Sequence, residues 1–249
     1  MSLLPDLPLL TGAAALAAGV LNAIAGGGSF LTFPALVFAG VPPLAANATS
    51  ALAVSPGYLG SALGFRAELG KLPGAQLRRE VLVAALGGLM GAGLLLVTPA
   101  RLFSGIVPWL LLLATVLFAL GPRLARLGSA TGQPRWRLPG LLAVSVYGGY
   151  FNGGLGILLM ALYTLTGESR LNTVNALKNL NSFVLSLLSV VAFAAAGTLV
   201  WPQAVWMMLW ATVGGWAGAH LARRLPVQWV RLLVIATGLV MSALFFSRA

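Results

Sequence analysis

Long apolar runs alternate along the chain with short charged loops. A bilayer hydrocarbon core of ~30 Å needs about 20 consecutive apolar residues in a helix that crosses it. Six runs meet this requirement and predict six transmembrane spans, at about 44–65, 81–98, 103–121, 171–197, 203–222 and 227–246. The arginines stand singly or in pairs between these runs. The pattern predicts an all-α polytopic membrane protein.

Two further apolar stretches, at about 7–40 and 138–166, do not fit one span each. As a single helix at about 1.5 Å per residue, the first would be roughly 50 Å long, which exceeds the thickness of the membrane. Glycine clusters at 26–28 and 153–156 interrupt the two stretches. Because glycine tolerates backbone angles that break a helix, each stretch is predicted to form two short helices joined by an unwound turn within the membrane.

Charged residues are scarce, which excludes most soluble classes. Of 249 residues, 59% are hydrophobic and 8% are charged, whereas a soluble domain carries roughly 25% charged residues. The net charge of +11 does not indicate a nucleic-acid partner, because such footprints cluster on a polar face. The chain has no cysteine, one histidine and four carboxylates. We therefore expect no cofactor, no metal site and no catalytic cysteine.

The basic residues predict a topology, because loops rich in Lys and Arg stay in the cytoplasm. If 138–166 enters the membrane and returns on the same side, eleven basic loop residues lie inside and two, Arg101 and Arg248, lie outside. The segment 123–137 is then a cytoplasmic basic linker between two halves, 1–122 and 138–249. Both termini are expected outside, in a multi-pass protein of the bacterial inner (cytoplasmic) membrane. The predicted inside set is Arg66, Lys71, Arg78, Arg79, Arg123, Arg126, Arg135, Arg137, Arg170, Arg223 and Arg224.

The two halves also repeat in sequence. Gly-x-x-Asn ending at Asn22 recurs at Asn152, and Asn47-Ala recurs at Asn175-Ala with nearly the same offset. Under the predicted topology the matching helices run in opposite directions. The halves are therefore predicted to be inverted repeats, each with a broken helix pair and three full spans. Broken helices in inverted repeats indicate a transport site near the membrane midplane, where helix N-termini bind anions.

Two segments resemble the signatures of a known family. The run Asn22-Ala-Ile-Ala-Gly-Gly-Gly-Ser-Phe-Leu, followed by Pro34 and Ala45-Ala-Asn-Ala-Thr-Ser, resembles the TauE/SafE family of sulfite and organosulfonate exporters. In the second half, Phe151-Asn-Gly-Gly-Leu-Gly and Asn172-Thr-Val-Asn-Ala-Leu-Lys-Asn are similar to that family's second signature. The resemblance covers nearly the whole chain. It implies an export permease for small sulfur-containing anions, with substrates that vary among members.

Lys178 is the first candidate for an anion ligand. It lies about eight positions into the span 171–197, hence roughly 12 Å from its start. A cation at this depth usually faces a cavity or a partner, and no carboxylate is near it in sequence. The alternative is that its long side chain reaches back to the cytoplasmic headgroups.

The other candidate ligands are glycines and small polar residues at the breaks and on the matching spans. The polar residues have a structural alternative, since they also hydrogen-bond between packed helices or cap helix ends, and glycines permit close packing. The full predicted substrate-binding set is Asn22, Gly27, Gly28, Ser29, Asn47, Thr49, Asn152, Gly153, Gly154, Asn175, Lys178 and Asn179.

These features predict a secondary transporter that exports sulfite or an organosulfonate by alternating access between the repeats. A proton-coupled carrier often uses an acid within the membrane. The four carboxylates fall at helix ends or in loops, so the membrane potential is the expected driving force. They are Asp6, Glu68, Glu80 and Glu168.

Two alternatives stay open. An anion channel of the same fold would share every feature above. An intramembrane enzyme would use Ser29 with His220 as base, but the chain has no Gly-x-Ser-x-Gly elbow. The expected partners are a small anion and the lipid bilayer, without nucleic acid. The sequence leaves the oligomeric state open, a homodimer included.

Overall fold

A computed structural model of the chain describes the backbone of residues 7–24, 26–131, 134–221 and 227–247. It describes the side chains of 8–22, 26–120, 134–217, 232 and 235–247. This part of the chain is almost entirely α-helical. Its helices are α1 (Leu7–Ile24), α2 (Ser29–Phe38), α3 (Pro43–Gly64), α4 (Arg66–Leu69), α5 (Gly74–Val97), α6 (Ala100–Thr131), α7 (Arg137–Tyr150), α8 (Leu155–Leu165), α9 (Leu171–Ala195), α10 (Trp201–Leu221) and α11 (Val227–Phe246).

The six predicted spans correspond to α3, α5, α6, α9, α10 and α11, and both broken stretches are helix pairs. Among the described residues, three helical segments are long and apolar enough to cross a membrane: Gly74–Val97, Ala100–Leu120 and Leu171–Ala195. The outer face of α5 exposes large apolar side chains, including Leu82, Leu86 and Leu94. Such a surface suits lipid and not water, as in a multi-pass membrane protein.

The segment 123–137, which the charge pattern marks as a linker, is largely helical in the structure. Helix α6 continues through Thr131, a 3₁₀ turn covers Pro134–Trp136, and α7 begins at Arg137. Six of the ten residues from Pro122 to Thr131 are Arg, Leu or Ala, which are strong helix formers, and the helix continues beyond the hydrophobic pattern in spite of Pro122. Similarly, α5 begins at Gly74, directly after Pro73 and well before its apolar run.

Several topology-bearing residues cannot be compared with the structure. Residues Asp6, Arg223, Arg224 and Arg248 lie outside the described residues, as do the side chains of Arg123, Arg126, His220 and Arg231.

Each broken stretch contains a glycine in the left-handed region. Gly26 has φ 77° and Gly154 has φ 76°, a conformation that residues with a Cβ rarely adopt. Helix α2 starts shortly after Gly26, at Ser29, and α8 starts directly after Gly154. The predicted unwound turns therefore exist in both halves.

The two halves interlock through glycine-lined contacts. Helix α5 of the first half packs on α7 and α9, and α10 of the second half packs on α1 and α3. At the α1–α10 contact, a Cβ on Gly19 would overlap the backbone oxygen of Ala211, and one on Gly214 would overlap that of Leu16. Only glycine allows the two backbones to approach so closely. The broken helices are thus held by spans of the opposite half.

Candidate functional site

The two breaks meet in the interior of the bundle. A Cβ added to Gly156 would lie 2.7 Å from the backbone oxygen of Gly26 and 3.1 Å from its Cα. Backbone thus contacts backbone where α2 and α8 begin. Because the first N–H groups of a helix lack intrahelical partners, two helix N-termini with partial positive charge face one region.

Hydrogen bonds hold the second break to the first half. The Ser29 hydroxyl donates to the Asn152 backbone oxygen at 2.8 Å. The Asn47 amide donates to the Tyr150 oxygen at 3.0 Å, and its own oxygen accepts from the Asn152 backbone N–H at 3.2 Å. Asn47 therefore replaces backbone hydrogen bonds that α7 and α8 lose at the break. This contact between halves joins three of the predicted site residues.

Lys178 lies beside the same break. Its side chain is 3% exposed, and a Cβ added to Gly26 would stand 3.4 Å from Nζ. The side chain thus points to the meeting point of the breaks and not along the helix to the surface. The ion pairs among the described residues join other groups, so none of the described carboxylates neutralises this buried ammonium. A desolvated cation without a counterion is costly, which makes an anion its natural partner.

Two asparagines leave buried polar atoms unused near the breaks. Asn152 is 1% exposed, and neither side-chain atom has a hydrogen-bond partner among the described residues. The Oδ1 of Asn22 is buried in the same way. Buried polar groups in proteins are almost always paired, so these atoms are free to bind a ligand or water.

Two of the remaining predicted residues, Gly28 and Thr49, make contacts that support the packing of helices. A Cβ on Gly28 would clash with the Ala18 oxygen, so Gly28 sets the approach of α2 to α1. The Thr49 hydroxyl accepts from the Val200 backbone N–H at 3.1 Å and holds the start of α10 instead of the break.

Asn175 and Asn179 lie on α9 beside Lys178, half-buried and buried respectively. The glycines at the second break contact aromatic rings: a Cβ on Gly153 would overlap Phe151, and one on Gly154 would lie 3.2 Å from Phe30. Gly27 is buried in the unwound segment between α1 and α2. The predicted set misses Gly26 and Gly156, the two glycines in direct contact. Their clusters were visible in the sequence, but the contact between them was not.

Glu80 corrects the expectation that every carboxylate lies at a helix end or in a loop. It lies in the second turn of α5, is 0% exposed, and its Oε1 is 2.9 Å from the Arg137 Nε. The apolar run begins at residue 81, so the sequence pattern placed Glu80 just outside the span. Glu68 and Glu168 form ion pairs with more exposed partners, Lys71 and Arg170.

Two cavities lie away from Lys178. One of about 210 Å³ is lined by α2, α6 and α11, including Phe38, Ser104 and Phe245. The other, of about 220 Å³, lies between the start of α1, the end of α2 and the start of α10, and includes Thr11 and Gln203. Lys178 lines neither cavity, and its side chain is buried, so the described conformation encloses its ammonium.

The described helices have the composition of a polytopic membrane protein, in which two broken helices meet beside a buried cation. The chain belongs to the sulfite exporter TauE/SafE family, whose model matches residues 11–245.

Three relatives match nearly end to end. The chain is 29% identical over 246 residues to the probable membrane transporter protein YfcA of Escherichia coli strain K12, covering 95% of this chain and 89% of that protein. It is 28% identical over 235 residues to a probable membrane transporter protein of Haemophilus influenzae, with 91% and 89% covered. It is 27% identical over 235 residues to the probable membrane transporter protein ORF9 of a Sinorhizobium species, with 92% and 88% covered. No solved structure gives a significant match.

Proposed function

We propose that the protein exports a small sulfur-containing oxyanion, sulfite or an organosulfonate, through a site at the meeting point of the two breaks. The observation that carries this proposal is the buried Lys178 ammonium beside Gly26, where α2 and α8 both begin. A cation and two helix N-termini all favour negative charge. The family description, sulfite exporter, supports the sulfur-containing class.

The proposed contacts assign a role to each group. The Lys178 ammonium supplies the charge, and the backbone N–H groups at Gly27, Gly28 and Gly154 supply directed donors. The unpaired amide of Asn152 adds a neutral donor. Such a set suits a compact anion with several oxygens, because each oxygen accepts from a different direction.

An inverted repeat would provide the alternating access, and the helix contacts support it. The α5–α7 contact matches the α1–α10 contact: a Cβ on Gly149 would overlap the oxygen of Gly88, and one on Gly91 would overlap that of Val146. In the sequence, Gly149 and Val146 of α7 follow Gly19 and Leu16 of α1 by the same number of positions by which Asn152 follows Asn22. The left-handed glycines, Gly26 and Gly154, also stand at equivalent places in the two halves.

We further propose that the membrane potential, inside negative, drives export. Moving one negative charge outward gains ~2.3 kcal/mol per 100 mV. Glu80 is an acid within a spanning helix, contrary to the sequence expectation, but its carboxylate is already paired with Arg137 and accepts hydrogen bonds from Gln76 and Tyr163. It therefore does not replace the potential as the proposed driving force.

Binding of sulfite and methanesulfonate to purified protein tests the site. Loss of one charge-assisted contact costs about 1.5–3 kcal/mol, so Lys178→Ala should raise Kd about tenfold to a hundredfold. Lys71→Ala is the matched control, because it removes the other lysine, which is exposed and pairs with Glu68. Equal affinity in the Lys178→Ala and Lys71→Ala variants would refute the assignment.

Counterflow in proteoliposomes separates a carrier from a channel. A carrier loaded with unlabelled anion should accumulate labelled anion transiently against its gradient, with saturable kinetics. An open pore would show simple equilibration, which would contradict alternating access.

A further inference from the structure

A buried polar cluster lies apart from Lys178 and has no role in the site above. The Glu80 cluster consists of the carboxylate of Glu80, three side chains that donate hydrogen bonds to it or to each other, and Arg137, which forms an ion pair with it. The Tyr163 hydroxyl donates to Oε2 at 2.9 Å, and the Gln76 amide donates to Oε1 at 3.0 Å. Arg137 Nε lies 2.9 Å from Oε1. The Asn181 amide donates to the Tyr163 oxygen at 2.7 Å and lies 3.5 Å from Oε2.

The cluster has the composition of an oxyanion site that is filled by a side chain of the protein. The carboxylate comes from α5 in the first half, whereas Arg137 begins α7, and Tyr163 and Asn181 lie on α8 and α9 of the second half. The Arg137 guanidinium also lies over the Tyr163 ring at 4.9 Å, and its Nε and Nη2 are both buried without a hydrogen-bond partner among the described residues. The cluster therefore contains N–H donors that Glu80 does not use.

Three members of the cluster, Glu80, Arg137 and Tyr163, lie near helix ends at one end of the bundle. Helix α8 begins at the break and reaches Tyr163 eight residues later, which is about 12 Å along its axis. Arg137 begins α7, and Glu80 lies in the second turn of α5. In the topology that the distribution of basic residues predicts, these helix ends lie on the cytoplasmic side. Asn181, three residues beyond Lys178 on α9, links the cluster to the helix that carries the proposed ligand.

We propose that the Glu80 cluster is a second oxyanion-binding site on the cytoplasmic approach to Lys178, closed in the described conformation by the carboxylate of Glu80. This inference rests on the proposed export function. An incoming sulfite or sulfonate replaces the Glu80 carboxylate on Arg137, Tyr163 and Asn181, and the separation of α5 from the second half opens the way inward.

The exchange is physically reasonable because both groups are oxyanions. A carboxylate and a sulfonate spread one negative charge over several oxygens and accept the same donors. Replacing one by the other keeps the half-buried Arg137 paired, whereas opening without an anion would leave this cation without a counterion in a partly desolvated place. The cluster should therefore open mainly when an anion is present.

The opposite side of the bundle shows the open counterpart of this arrangement. Helix α10 packs on the first half as α5 packs on the second, and its first turn carries the neutral Gln203. A cavity of about 220 Å³ lies there between α1, α2 and α10. In the described conformation, the Glu80–Arg137 ion pair therefore fills this place in one half of the bundle, whereas a cavity lies at the corresponding place in the other half.

Thermal unfolding of Glu80→Ala tests the site with formate and methanesulfonate as probes. Removing the carboxylate leaves the donors unpaired, so the Tm should fall and millimolar formate should recover several degrees of it by binding. The recovery should persist in Glu80→Ala/Lys178→Ala and disappear in Glu80→Ala/Arg137→Gln. Glu68→Ala, which breaks the more exposed pair with Lys71, is the control without anion-dependent recovery. No recovery in Glu80→Ala, or recovery that survives Arg137→Gln, would overturn the proposal.

Glu80→Gln provides a second readout that does not require the alanine variant to fold. Because the chain has no cysteine, Ser182→Cys on α9 is a single thiol, at a position that is 0% exposed. An anionic thiol reagent added at the cytoplasmic side should label it several-fold faster in Glu80→Gln, and faster in the parent when methanesulfonate is present. Equal labelling rates in all conditions would overturn the proposal.

These outcomes separate the inference from the function on which it rests. If the parent protein fails to bind sulfite but Glu80→Ala recovers with formate through Arg137, the export proposal fails and the second oxyanion site stands. If the parent binds sulfite through Lys178 but the Tm of Glu80→Ala does not rise with added anions, the second site fails and the export proposal stands.

Discussion

Gly156→Ala is the most direct perturbation of the proposed site. The added methyl group would lie 2.7 Å from the Gly26 oxygen and 3.1 Å from its Cα. Both obstacles are backbone atoms, so no side chain can rotate away. The two breaks must separate, and α2 or α8 must move with them.

The expected cost follows from the size of this overlap. Adding one carbon to a tightly packed contact costs about 1–3 kcal/mol. In a chain of this size, each kcal/mol lowers Tm by about 2–4 °C, so Gly156→Ala should lower Tm by on the order of 2–12 °C. Separation of the breaks would also move Gly26 relative to the Lys178 ammonium. Anion affinity should fall together with stability.

Thermal unfolding and sulfite binding in detergent provide the assay, with Gly93→Ala as the matched control. A Cβ at Gly93, about one turn before the end of α5, meets nothing within 4 Å. Alanine is a better helix former than glycine by up to ~1 kcal/mol, so this variant should be as stable as the parent or more so, with unchanged affinity. If Gly156→Ala matched Gly93→Ala in both measurements, the contact between the breaks would not be part of the site.

Three further measurements test other parts of the account. Asn47→Ala removes two hydrogen bonds of about 0.5–1.5 kcal/mol each and should lower the free energy of unfolding by about 1–3 kcal/mol. The control Asn172→Ala, at an exposed position of α9, should change it by less than about 0.5 kcal/mol. Equal effects of the two substitutions would mean that Asn47 does not hold the second break. In proteoliposomes, sulfite efflux should follow the imposed voltage at equal pH; flux that follows a pH gradient at zero voltage would refute the proposed driving force. Transport by His220→Ala should match the parent, and complete loss would favour the enzyme alternative.

The broken helices were predictable because their cause is local. A glycine cluster inside an apolar stretch that is too long for one span leaves few other solutions, and the structure breaks both stretches at these glycines, with Gly26 and Gly154 in the left-handed region. Lys178 stood out for a similar reason, since a lone cation within an apolar span is costly wherever the chain folds.

Contacts between distant segments were not predictable in this way. Hydropathy placed Glu80 at the edge of a span, one residue before the apolar run, and counted Arg137 as a loop cation. In the structure they form a buried pair. Thr49 stands two residues from Asn47, and its hydroxyl accepts from the Val200 backbone N–H at the start of α10, a contact that no local pattern indicates. The side-chain pattern along a helix does not determine which other helix each of its faces will contact.

The sequence by itself determined the membrane class, the helical spans, the two breaks and the buried cation, because each follows from the hydrophobicity and backbone freedom of neighbouring residues. The tertiary structure alone decided that Gly26 meets Gly156, that Asn47 holds the second break, and that Glu80 fills a set of donors from the other half. Each of these contacts joins residues of opposite halves that are far apart in the chain. They depend on how closely the glycine-lined helices of the two halves approach, which no local pattern specifies.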